Sequence, residues 1–195
     1  MLMAPKNVVR RKWTRADLLR LPDDGNRYEV LDGQLFVTPQ ASVPHQWIAY
    51  ELVKAILPYV ELHRLGWVPA PGATIFDDNE LQPDVMVIPM TSENLPKKWE
   101  KLPRALLVIE ILSPTTRRRD LDLKRRAYLR LGIPEYWVVD RFDRRVLVWR
   151  PSADEAAVRT DTVTWRPMPE RQDIPPLEIA VDRILPAGHP GPEAE

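Results

Sequence analysis

Glu110 is a carboxylate inside an otherwise apolar run, Leu106-Leu107-Val108-Ile109-Glu110-Ile111-Leu112. A charge in a buried strand is costly unless it is paired or bound to a metal; the plain alternative is a buried ion pair. Lys124 breaks a second rule. On a helix turning about 100° per residue, Leu121, Leu123, Ala127, Tyr128 and Leu131 form an apolar arc. Lys124 falls near its middle, whereas Arg125, Arg126 and Arg130 fall outside it. An inward ammonium needs an anionic partner, or it must snorkel past the core. Asp84 is the third signal, in Gln82-Pro83-Asp84 at the head of the apolar run Val85 to Ile88. Alone, an Asp after a Pro is a turn. Beside a buried glutamate it suggests a two-carboxylate site, which favours a divalent cation or a shared proton.

An Asp, a Glu and a Lys suffice for phosphodiester hydrolysis. Magnesium takes one or two protein carboxylates, and waters and phosphate oxygens complete its shell. It lowers the pKa of bound water and neutralises charge at a phosphoryl centre. A nearby lysine can orient or deprotonate that water, or stabilise the developing charge.

The elements that must position these residues follow from patterning. Trp13 to Leu21 reads as a short helix with Thr14 as N-cap. Tyr28 to Val30 and Leu35 to Thr38 flank Asp32-Gly33, a hairpin signal. Pro44 to Leu57 reads as a helix with its stripe on Ile48, Leu52, Ala55 and Ile56, and Pro58 near its end. Trp67 to Phe76, interrupted by Pro69, Pro71 and Gly72, predicts a bent or edge strand. Val85 to Ile88 and Ala105 to Leu112 are strands, the latter apolar on both parities as in a central strand. Asp120 to Leu131 is a helix closed by Gly132, and Tyr136 to Val139 and Val146 to Arg150 are strands about a turn. Ile179 to Leu185 reads as a last short helix. This order predicts an α/β fold on a mixed sheet. One domain is expected over residues 13–185, between tails at 1–12 and 186–195.

Composition narrows the chemistry. The chain has 195 residues, no cysteine and three histidines. Thiolate metal sites, disulfides and cysteine nucleophiles are excluded, so a metal here is a hard cation on carboxylates. No secretory leader and no membrane span are legible, and a cytoplasmic protein is expected. The net charge is zero, so positive charge for nucleic acid must be local. Arg117, Arg118, Arg119 and Arg125 crowd one stretch and are candidate nucleic-acid contacts; a solvated helix face explains such a run equally well.

Longer blocks carry a family likeness. Gln82-Pro83-Asp84, Val108 to Thr115, Asp120 through Lys124 to Tyr128, and Gly132 to Asp140 resemble the Uma-type endonucleases. These belong to the PD-(D/E)XK, or restriction-endonuclease-like, superfamily. Tyr28 to Gly33 and Pro44-His45-Gln46 resemble that family's N-terminal part. The resemblance implies a restriction-endonuclease-like mixed β-sheet flanked by helices. It implies Mg2+ or Mn2+ on Asp84, Glu110 and the Ile111 backbone carbonyl, with DNA as substrate and a homodimer as a plausible assembly. The superfamily lysine two residues after the glutamate is replaced by Leu112, and the resemblance implies its relocation to Lys124. Glu29 is a candidate further ligand. Asp120 is an N-cap or a partner of Lys124. His45 reads as a cap or packing residue with an auxiliary role open. Glu51 reads as solvated, and Ser113 and Asp140 as structural. The competing expectations are a catalytically vestigial binding module and a phosphodiesterase acting on RNA or small molecules.

Overall fold

The computed structural model describes residues 12–89 and 97–185; the expected tails lie, Lys12 apart, outside the described residues. Helix α1 (Arg15–Leu18) is a single turn, with Asp17 Oδ2 accepting from the N–H and hydroxyl of Thr14. Strands β1 (Arg27–Leu31) and β2 (Gln34–Thr38) form the expected hairpin. Asp32 (φ 49°) and Gly33 (φ 78°) are both left-handed, as a two-residue type I′ turn requires. Helix α2 (Val43–Leu62) runs past Pro58, further than the sequence suggests. The continuation is stabilised by burial of Tyr59 and Val60, and the Tyr59 hydroxyl donates to the Pro175 carbonyl at 2.6 Å.

The expected bent strand is two strands in different sheets, β3 (Gly66–Trp67) and β4 (Thr74–Phe76). Then follow β5 (Asn79–Leu81), β6 (Val85–Pro89), β7 (Leu107–Ile111), a π-helical segment (Arg119–Lys124), α3 (Arg125–Arg130), β8 (Tyr136–Asp140) and β9 (Arg145–Trp149). The C-terminal part holds β10 (Ala157–Arg159), β11 (Thr162–Trp165), β12 (Leu177–Ala180) and α4 (Val181–Ile184). The expected helix from Ile179 therefore begins two residues later, because Ile179 pairs with Val163 in a β-ladder.

The main sheet has the order β10-β9-β8-β7-β6-β3. Only β7 and β8 run parallel, joined by the crossover through α3; the other pairs are antiparallel. A second sheet, β2-β1-β5-β4, carries the hairpin. Strand alternation sends Val85, Val87, Leu107, Ile109 and Ile111 to a core shared with Ile48, Leu52 and Ile56 of α2. Met86, Ile88, Val108 and Leu112 face the opposite core, under Ala127 and Tyr128 of α3. The fold is thus a mixed sheet with helices on both faces. Among the described residues, no helix is long and apolar enough to cross a membrane.

Helix α3 stops where the sequence places its end. Gly132 (φ 70°) donates to the Leu129 carbonyl at 2.9 Å, and Ile133 donates to the Tyr128 carbonyl at 3.0 Å. This pair of hydrogen bonds is the Schellman arrangement. A Cβ at Gly132 would stand 2.7 Å from an Arg104 guanidinium nitrogen. Gly132→Ala is expected to cost about 1–2 kcal/mol, read as a lower urea midpoint at unchanged slope.

Candidate active site

Asp84 and Glu110 come together because two strands pair. The β6–β7 register sets Val85 against Ile109, so one residue on, Asp84 stands across from Glu110. The Ile111 N–H donates to Asp84 Oδ2 at 2.8 Å. Both carboxylates line a cleft of about 1180 Å³ at the strand ends, with Ile111, Asp120, His45 and Arg27 also in its wall.

Lys124 is fully buried behind this wall. Its Nζ donates to Glu110 Oε1 at 2.7 Å and pairs with Glu29 Oε1 at 2.7 Å; Asp120 Oδ1 lies at 3.9 Å. The inward lysine read from the helical wheel is therefore observed, although its turn is π-helical, a widening that recurs at functional sites. The Tyr128 hydroxyl, one α-helical turn on, also donates to Glu110 Oε1, at 3.0 Å. Among the described residues, none donates a hydrogen bond to Glu110 Oε2.

Glu29 sits behind the cleft rather than in its wall. Its Oε1 accepts the Gln82 N–H at 2.7 Å, and Arg119 lies 3.4 Å from Oε2. It is a counter-charge to Lys124. His45 is no cap: its Nε2 is 3.1 Å from Asp84 Oδ2, on the cleft wall. Arg27 donates to Asp84 Oδ1 at 2.8 Å. Sequence reasoning missed Arg27, although its parity with Glu29 on a five-residue strand was a usable signal.

The arginine cluster does not act as a group. Arg119 is buried, donates to Thr38 Oγ1 at 3.0 Å and stacks on Phe36, facing inward rather than out to solvent. Arg117 pairs with Asp140 at 3.2 Å, and Arg125 lies over Trp149 and near Asp122. Arg118 is exposed. None of Arg117, Arg118, Arg119 and Arg125 lines the cleft. Glu51, read as solvated, is buried against Lys54. Asp140 accepts from the Phe142 and Asp143 N–H groups, and Ser113, in the cleft wall, bonds with Thr116.

Electrostatics follow from crowding. Burial, with repulsion from Asp120, Asp84 and Glu29, pushes Glu110 up to about 8 in spite of Lys124. Burial alone would raise Asp84, but His45 and Arg27 hold its carboxyl well below the usual range. Burial opposes the Lys124 charge, yet Glu110, Glu29 and Asp120 carry its pKa upward. The raised pKa favours the ammonium form of Lys124.

A hard cation fits the residues present. With Glu110 ionised, the four carboxylates Glu29, Asp84, Glu110 and Asp120 outnumber the permanent cations Arg27, Arg119 and Lys124 in this cluster, so an added cation would stabilise the Glu110 carboxylate. Glu29 Oε2 and Asp120 Oδ1 are buried without a hydrogen bond. Among the described residues, no three His, Asp or Glu side chains form a ready-made metal cage. A cation here would rest on two carboxylates, a backbone carbonyl and water, a set magnesium accepts.

Among curated proteins, none matches the chain. A solved structure titled as a putative nuclease belonging to DUF820, from Anabaena variabilis, has a similar fold, with a TM-score of 0.69. It shares 22% identity, over 88% of this chain and 97% of that one. The family pattern described as "Uma2: Putative restriction endonuclease" matches residues 15–182, and the chain belongs to that family.

Proposed function

We propose that this protein is a metal-dependent endonuclease that hydrolyses DNA phosphodiesters in the cleft bearing Asp84 and Glu110, within one nuclease-like domain over residues 13–185. One observation carries the reading: Asp84 and Glu110 line the same cleft at the ends of paired strands, with a buried lysine 2.7 Å behind Glu110. Asp84, Glu110 and the Ile111 carbonyl would hold Mg2+ or Mn2+. When bound, the cation supplies a polarised water and neutralises phosphoryl charge. The chain's own residues set this up. Lys124 and Tyr128 both bind Glu110 Oε1, which orients the carboxyl and leaves Oε2 for the cleft. His45 and the Ile111 N–H fix Asp84 Oδ2. Lys124 also places positive charge behind the site without touching solvent.

The test is cleavage of supercoiled plasmid and linear duplex with Mg2+ or Mn2+, for wild type and Asp84→Asn. Cutting by wild type with a loss of about 10²-fold or more in Asp84→Asn is the expected outcome. Equal behaviour of the two proteins overturns it. A second reading, a nucleic-acid- or protein-binding module with a vestigial site, is favoured by a specific feature: both Asp84 oxygens are already taken by Arg27, His45 and the Ile111 N–H. DNA binding that is unchanged without metal would favour that module.

A further inference from the structure

The cleft lacks an obvious anion ligand where the sequence looks most basic, because Arg119 is buried and Arg117 and Arg125 are paired elsewhere. Among the described lining residues, the arginines are Arg27 and Arg141. Arg27 is the one beside the carboxylates. Its guanidinium is held along one edge only: NH1 donates to the Gln82 carbonyl at 3.2 Å and to Asp84 Oδ1 at 2.8 Å. Among the described residues, Nε and NH2 donate to no acceptor, and neither is sealed from solvent. The side chain is 21% exposed. A guanidinium has five donors in a planar fork, and its Nε–NH2 edge matches two oxygens of a phosphate. The held edge fixes the direction of the free one, so little rotamer freedom remains to be lost on binding.

We infer that Arg27 is the phosphate ligand of this cleft, anchored by Asp84 and Gln82 on one edge and presenting Nε and NH2 to a backbone phosphate of the substrate on the other. The inference rests on the reading of the cleft as a nucleic-acid site and adds the residue that grips the strand. Arg27 thereby has two functions. It counters the Asp84 charge, and it offers a polyanion a cation beside the acidic residues Asp84, Glu110 and Asp120 of the cleft wall.

The experiment measures anisotropy of a labelled 20-base-pair duplex with Ca2+ over a salt series, alongside Mn2+ titration by calorimetry, for wild type, Arg27→Gln and Arg27→Lys. For Arg27→Gln the expected results are DNA affinity lower by about tenfold or more, a salt slope shallower by about 0.9, and Mn2+ binding undiminished or tighter because a competing cation has left Asp84. Arg27→Lys keeps the charge and the salt slope but lacks the fork, so its affinity falls while Mn2+ binding stays as in wild type. Unchanged DNA affinity in Arg27→Lys overturns the inference, and this holds if Arg27→Gln does not fold. A wild type that binds no duplex also overturns it. A wild type that binds DNA but cuts none with any metal sinks the nuclease reading, while the slopes still decide on Arg27.

Discussion

Replacing Lys124 with alanine is expected to cost about 3–5 kcal/mol of folding stability, the usual penalty for leaving a buried charge without its partner. Lys124 is fully buried, and Glu29 and Glu110 each lie 2.7 Å from its Nζ. Without the ammonium, Glu29 keeps the Gln82 N–H at 2.7 Å, the Arg119 contact at 3.4 Å and the longer reach of Arg27, and no close ammonium balances its charge. The lost side chain also leaves a cavity between strand β7 and the π-helical segment. Loss of cleavage in this variant would therefore say nothing about chemistry. Lys124→Met combined with Glu29→Gln removes the charge and its first counter-charge together and fills the space. This double variant is expected to recover most of the stability, since an apolar or neutral replacement of a whole buried pair is often harmless. Urea midpoints of wild type, Lys124→Met, Glu29→Gln and the double variant form the cycle. A Lys124→Ala protein as stable as wild type, yet unable to cut DNA, would instead make Lys124 a group of the reaction alone.

Glu110→Gln is expected to behave in the opposite way: a fold close to wild type at neutral pH, and cleavage lower by about 10²–10³-fold. The metal-free Glu110 carboxyl is pushed up to about 8, so near pH 7 it is largely protonated. Glutamine has nearly the same shape as that neutral form and keeps an oxygen for Lys124 and Tyr128. It cannot become the carboxylate that a cation requires. The same shift gives a signature in stability. In the unfolded chain Glu110 titrates near its ordinary 4.5. Between about 4.5 and about 8 the folded state holds a proton that the unfolded state has released. The stability due to Glu110 is thus complete below the lower value and is lost as pH rises through the upper one. Asp84 acts in the other direction, because its depressed carboxyl stabilises the fold above its ordinary value and the effect fades in acid. Metal-free wild type should therefore lose stability from pH 5 to pH 8 relative to Glu110→Gln. Parallel urea midpoints for the two proteins over that range would refute the raised Glu110.

Much of the scaffold was readable from local rules. Asp32-Gly33 specifies its turn because both positions need positive φ, and Gly132 ends α3 for the same reason. The apolar run around Glu110 identified a central strand, since only a strand covered on both faces is apolar on both parities. Lys124 was legible as an inward charge because the helical period separates it from its arginine neighbours.

Partners were not legible, because they depend on contacts between segments far apart in the chain. The pairing of β6 with β7 brings Asp84 opposite Glu110, and the hairpin's packing brings Glu29 to Lys124. Arg27 and His45 reach Asp84 from 57 and 39 residues away. The arginine run misled for the same reason: a charge count does not say which guanidinium turns inward, and Arg119 does so because Glu29 and Thr38 wait there. Sequence alone determined which residues were energetically out of place, since that follows from local period and polarity. Only the tertiary structure decided what compensates each of them, since burial and charge pairing are properties of the assembled core.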